Sequence, residues 1–164
     1  MSKIKPSERV DISLTLNGVR VAGQAEPRML LADFLREICG TTGVHVGCEH
    51  GVCGCCTILL NGAAVRSCLA LAVQAESADV KTVESLAESD GTLNRLQKAF
   101  RKHHALQCGF CTPGILMSLT DLLSRNPDPP REEIVSVVGG HLCRCTGYTN
   151  IIDAAMDAIS SVGR

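Results

Sequence analysis

The chain has 164 residues, 45% of them apolar, a formal charge of −1 and ten cysteines. That length allows one ordinary domain or two small ones around a real hydrophobic core, and with no basic surplus or Lys/Arg-rich run it offers no footprint for a nucleic-acid backbone. The opening, MSKIKPSERVDISLTLNG, carries no long apolar stretch before a cleavage site, no twin arginine and nothing able to span a bilayer, so a cytoplasmic protein without a membrane partner is expected.

The first half reads as strands. Val10, Ile12, Leu14 and Leu16 alternate with polar residues, and Asn17-Gly18 supplies a tight turn into Val19–Val21, which makes a hairpin. A helix is predicted next, with Leu30, Leu31, Phe34, Leu35 and Ile38 at helical spacing and Cys39-Gly40 closing it. GCEHGVCGCC has too many glycines for an element interior and reads as a loop. Thr57 to Leu60, Asn61-Gly62 and Ala63 to Cys68 predict a second hairpin, with Cys68 on its returning strand.

Beyond Lys81 the pattern turns helical, after a polar stretch, ESLAESDGT, that marks a boundary. Two units are expected, residues 1–80 and 81–164, in an α+β chain without internal repeats. Leu93, Leu96 and Phe100 mark one helix, and Thr112 as N-cap with Pro113 at the first helical position starts another through Leu123. PDPPREEIVSVV gives a third helix entered through prolines. Thr149 is expected to cap a fourth, with Ile151, Ile152, Ala155, Met156 and Ile159 on its buried stripe.

In a reducing compartment so many cysteines point to metal rather than disulfides. Eight of the ten fall into two quartets. Cys48, Cys53 and Cys56 follow the C-x4-C-x2-C spacing of plant-type 2Fe-2S ferredoxins, and Cys68 follows after eleven intervening residues. Gly47, Gly51 and Gly54 let the loop curl round a cluster core and aim amide N–H groups at sulfur. Cys108-x2-Cys111 and Cys143-x-Cys145, with thirty-one residues between the pairs, form the second quartet, each pair just ahead of a predicted helix start whose positive end suits an anionic cluster. Structural zinc is the competing reading, since it too accepts four cysteines. The first loop is an unusual zinc spacing. A Rieske centre is rejected because only Cys48-Glu49-His50 contains a C-x-H. Cys39 is expected in the core, whereas Cys55 stands between two proposed ligands and could exchange with Cys56 by a one-residue slip. The five histidines read as surface or supporting residues rather than ligands. No G-x-G-x-x-G, Walker loop, G-x-S-x-G or H-E-x-x-H is present, so two redox centres stand without a substrate site.

Through GCEHGVCGCCTILLNG, QCGFCTPGILMS and HLCRCTGYTNI the sequence resembles, over nearly its whole length, the iron-sulfur small subunit of the molybdenum hydroxylases, the xanthine dehydrogenase and aerobic CO dehydrogenase family. The resemblance implies a ferredoxin-like β-grasp domain followed by a four-helix domain. It implies an electron-transfer subunit of a molybdopterin-dependent oxidoreductase, with a large molybdopterin subunit and a medium FAD subunit as partners in a heterotrimer or its dimer. Cys108, Cys111, Cys143 and Cys145 would take electrons from molybdenum, and Cys48, Cys53, Cys56 and Cys68 would pass them towards FAD. Gln107 and Cys145 match positions that approach the pterin. The chain departs from the family at Cys55, usually Ala or Ser, and at His141, usually Asn, where a solvent-facing histidine is expected ahead of one that hydrogen-bonds near the cluster and shifts its potential. A free-standing two-cluster ferredoxin and a double zinc module are the alternatives.

Overall fold

The structure, a computed structural model, describes residues 8–160. The reading of residues 1–7 as free of an export signal lies outside the described residues. Strand β1 (Val10–Leu16) and strand β2 (Val19–Ala25) pair as the predicted hairpin, with Leu16 opposite Val19 and both turn residues, Asn17 and Gly18, at positive φ. Such a turn matches the right-handed twist of the strands it joins. Ile12, Leu14 and Leu16 are buried while their neighbours are not, as the alternation requires.

The helix expected after this hairpin is short. Helix α1 (Leu31–Asp33) widens at once into a π-turn over Phe34–Ile38, closed by the Cys39 N–H donating to the Phe34 carbonyl at 3.1 Å, and Gly40 ends it at φ +73. Strands β3 (Thr57–Leu60) and β4 (Ala63–Arg66) form the second hairpin across Asn61-Gly62. Cys68 is not on the returning strand, because a 3-10 turn over Ser67–Leu69 follows β4 and carries it. Strand β5 (Asp79–Lys81) completes a sheet of order β2-β1-β5-β3-β4, parallel to β1 and antiparallel to β3. The sheet grasps the α1 segment, and Leu31, Phe34 and Leu35 are buried with Ile12, Leu14, Ile58 and Val80 in one core.

Four helices follow: α2 (Arg95–Lys102), α3 (Thr112–Arg125), α4 (Arg131–Gly139) and α5 (Thr149–Ser160). Asn94 and Gln97 cap α2 reciprocally, each side chain accepting the other's backbone N–H at 2.8 and 2.9 Å. Helix α2 packs on α5, α4 packs on both α3 and α5, and α3 lies across β3 and β4. Ile151, Ala154, Ala155, Ala158 and Ile159 face a second core with Leu96, Phe100, Leu119 and Ile134; Ile152 and Met156 sit at its edge. The caps sit differently from the sequence reading. Cys111 holds the N-cap position of α3, so Thr112 is already helical and its buried hydroxyl has no partner; Thr149 is likewise the first residue of α5. None of the helices is long and apolar enough to cross a membrane, among the described residues.

Candidate metal centres

All ten cysteines are free thiols. The first quartet rests on the loop between the π-turn and β3 together with the turn after β4. Glu49, Gly51 and Gly54 all have positive φ, so the chain coils tightly enough for the Cys53 N–H to donate to Cys48 Sγ at 3.3 Å. Cys53, Cys56 and Cys68 are buried and Cys48 is half-buried. Amide donation from Cys53, then from His50, pulls the Cys48 thiol down to about 6, whereas burial, and then the neighbouring Cys56, pushes Cys68 up to about 11. Thiols crowded in this way ionise together only around a positive centre. At Gly47 a Cβ would stand 3.2 Å from Cys53 Sγ, and at Gly51 it would run into Leu69, so both glycines keep the cradle open.

The second quartet gathers at the loop before α3 and the loop before α5. Cys145 Sγ lies 3.5 Å from Cys108 Sγ, and Cys111 and Cys143 are hydrogen-bonded neighbours. Burial, then contact with Cys143, raises Cys111 to about 12. Cys108 is lowered, first by the Phe110 N–H. Burial pushes Cys143 upward, but the Thr146 hydroxyl, 3.1 Å from its sulfur, and nearby backbone N–H groups bring it down overall. The Cys143 N–H donates to Tyr148 Oη at 2.9 Å. Gln107, singled out with Cys145, donates through Nε2 to the Cys145 carbonyl at 3.1 Å on an exposed edge. Donor set and N–H groups aimed at sulfur fit a 2Fe-2S centre at each quartet, and the first quartet adds a glycine cradle.

The two loops touch. Leu142 N–H donates to the Cys53 carbonyl at 3.0 Å, and Arg66 Nη2 donates to the Gly140 carbonyl at 2.8 Å. His141, between them, is 1% exposed, with Nε2 2.8 Å from Ser118 Oγ and its ring against Gly54. The expected solvent-facing histidine is therefore a buried wedge, and burial, then the Arg66 charge, lowers its pKa to about 4. Helix α3 comes closest at Gly114, where a Cβ would overlap the Gly54 carbonyl. His45 donates through Nδ1 to the Phe110 carbonyl at 2.8 Å and stacks on its ring, a second strap between the loops. Cys39 packs at the edge of the sheet core, as expected. Cys55 is buried in the helical core, its thiol donating to the Cys53 carbonyl at 3.9 Å and raised by burial to about 12, whereas Cys56 points into the sheet core. None of these junction contacts was read from the sequence; a glycine inside the first turn of α3, in QCGFCTPG, was its available signal.

Two family models match, a 2Fe-2S iron-sulfur cluster binding domain over residues 14–92 and a [2Fe-2S] binding domain over residues 82–156. The nicotine 6-hydroxylase small subunit of Paenarthrobacter nicotinovorans is 53% identical over 163 residues, 99% of this chain and 98% of that one. The xanthine dehydrogenase iron-sulfur-binding subunit of Escherichia coli O157:H7 is 42% identical over 153 residues, 92% and 95% of the two chains. The chain belongs to the iron-sulfur small subunits of the molybdenum hydroxylases.

As a molybdenum hydroxylase small subunit it carries two 2Fe-2S clusters and serves electron transfer in a complex with other subunits. The solved structure of quinoline 2-oxidoreductase from Pseudomonas putida 86 superposes with a TM-score of 0.91 at 54% identity, covering 96% of this chain and 98% of that one, so the small-subunit fold is shared from end to end. A single-electron carrier suits such a subunit: each cluster, when bound, takes up and releases one electron at a time.

Proposed function

We propose that this chain relays electrons from a molybdopterin site on a large subunit to FAD on a medium subunit, in a heterotrimer or its dimer. Cys108, Cys111, Cys143 and Cys145 hold the receiving cluster, and Cys48, Cys53, Cys56 and Cys68 hold the delivering one. The chain divides into a ferredoxin-like unit that ends with β5, one residue past the expected boundary at 80, and a helical cluster-binding unit after it. The observation that carries the reading is the arrangement of the second quartet at a surface. Cys108 is exposed, Gln107 bonds the Cys145 carbonyl beside it, and Leu106, Phe110 and Leu142 leave apolar area uncovered around the pair. Val52 and Leu69 do the same beside the first quartet. Exposed apolar rims at both centres suit subunits docked against each. The names of the relatives, with nicotine, xanthine and quinoline among them, support an N-heteroaromatic substrate for the complex. A soluble cytoplasmic setting fits the same reading.

Two variants of the assembled complex test the order. With Cys111→Ala, substrate should reduce neither the delivering cluster nor FAD, although dithionite still reduces that cluster. With Cys56→Ala, substrate should reduce the receiving cluster while FAD stays oxidised. Reduction of FAD by substrate at wild-type rate in either variant rejects the relay.

A further inference from the structure

Three consecutive residues of the segment before α5 are tied to the sheet half: Gly140 through Arg66, His141 through Gly54, and Leu142 through Cys53. The third tie links the two centres directly, because Cys53 belongs to one quartet and Leu142 is bonded to Cys143 of the other. One carbonyl, one N–H and the Leu142 backbone are all that separate those two residues.

A lone backbone hydrogen bond between two loops holds its register only if something else fixes both. His141 is placed to do so. Its ring is buried, and an added Cβ on Gly54 would stand 2.9 Å from both Cγ and Cε1, so the ring already fills the space beside that residue. On its other side Nε2 is anchored to Ser118, in the middle of α3. Its backbone is held as well, the N–H donating to the Val138 carbonyl at 3.1 Å and the carbonyl accepting from the Tyr148 hydroxyl at 3.1 Å. Gly54 is pinned independently, since its carbonyl accepts from the Thr57 N–H at 3.1 Å and the Thr57 hydroxyl at 2.6 Å, and Arg66 donates to that same hydroxyl. Neither side of the wedge can give without breaking hydrogen bonds buried from water.

We propose that His141 is a positioning residue for electron transfer between the clusters: wedged between Gly54 and Ser118, it fixes the register in which the Leu142 N–H meets the Cys53 carbonyl, and with it the coupling of the two centres. The electron lost by one centre is gained by the other, and no bond or proton moves with it. The proposal rests on the assignment of Cys53 and Cys143 as ligands. Electron paramagnetic resonance of the fully reduced complex tests it through the spin-spin splitting between the clusters. In His141→Ala, with iron content unchanged, the splitting and at least one cluster potential should shift, and His141→Gln, whose amide can still reach Ser118, should return both towards wild type. A splitting and both potentials equal to wild type, whatever happens to thermal stability, would overturn it. Ser118→Ala serves if His141→Ala does not retain both clusters: it removes only the anchor, so a shift of the splitting in the same direction is expected and an unchanged splitting overturns the proposal. Full iron content in Cys53→Ala or Cys143→Ala would instead remove the ligand assignment, and the proposal with it, which separates the two failures.

Discussion

Gly114→Ala puts the contact between α3 and the first cluster loop to a quantitative test. A Cβ at residue 114 would overlap the Gly54 carbonyl oxygen and stand 3.0 Å from that carbonyl carbon and 3.1 Å from the Cys55 Cα. Carbon atoms pack at about 3.5–4.0 Å, so α3 or the loop must retreat by roughly half an ångström or more. Both surfaces are backbone, and no rotamer change relieves the clash. Overpacking of this kind costs about 1–3 kcal/mol, against which replacing a helical glycine by alanine returns up to about 1 kcal/mol. The net loss lies between about 0 and 3 kcal/mol. Because the clash is with backbone on both sides, the upper half of that range, about 1.5–3 kcal/mol, is expected, which for a chain of this size lowers Tm by roughly 3–12 °C. Gly139→Ala is the matched control: it too is helical, and nothing lies within 4 Å of its added methyl. Thermal scans followed by the visible absorbance of the clusters should show Gly114→Ala melting below wild type and Gly139→Ala at or above it. If Gly114→Ala melts with the control, the close approach of α3 to the loop is wrong.

Cys55→Ala should keep both clusters, whereas Cys56→Ala should lose one, halving the iron; the reverse iron counts would exchange the two assignments. Tyr148→Phe leaves the Cys143 N–H without its 2.9 Å acceptor and the His141 carbonyl without its 3.1 Å donor, unmet groups worth about 1–3 kcal/mol each, and should lower Tm and shift the potential of the cluster at the second quartet more than that of the first, read by redox titration. Leu119→Ala removes a fully buried side chain from the helical core and should cost about 2–5 kcal/mol in chemical unfolding, while Val135→Ala, at an exposed position of α4, should cost little. Asp157 is held below the usual carboxylate range by Lys102, then His103. Its stabilising contribution is complete above the ordinary carboxylate pKa and is lost as pH falls through its lower folded value, so Asp157→Asn should lower the urea midpoint at pH 7 and lose that deficit in acid.

Both hairpins were legible because Asn17-Gly18 and Asn61-Gly62 sit between alternating apolar runs, and the four helices because their apolar residues recur at helical spacing. Strand β5 was not, since three residues carry no period and its place in the sheet comes from pairing with β1 and β3. The π-turn was missed for a related reason: Phe34, Leu35 and Ile38 fit helical spacing, and the wider turn is decided by how Phe34 and Leu35 bury under the sheet. Cysteine spacing alone separated the two quartets. It could not reveal that His141 is buried, because the residues that cover it, Gly54, Arg66 and Ser118, are distant in sequence and arrive only through the packing of α3 on β3. Gly54 was read as loop curvature; its second role, making room for a histidine from the other half, is a tertiary fact.

The central claim, two quartets each holding its own 2Fe-2S cluster, is tested most directly by electron paramagnetic resonance of the dithionite-reduced protein with Cys68→Ala and Cys111→Ala beside wild type. Two distinguishable signals of equal intensity are expected in wild type, with each variant losing a different one. A single signal in wild type, or loss of the same signal in both variants, would contradict the account.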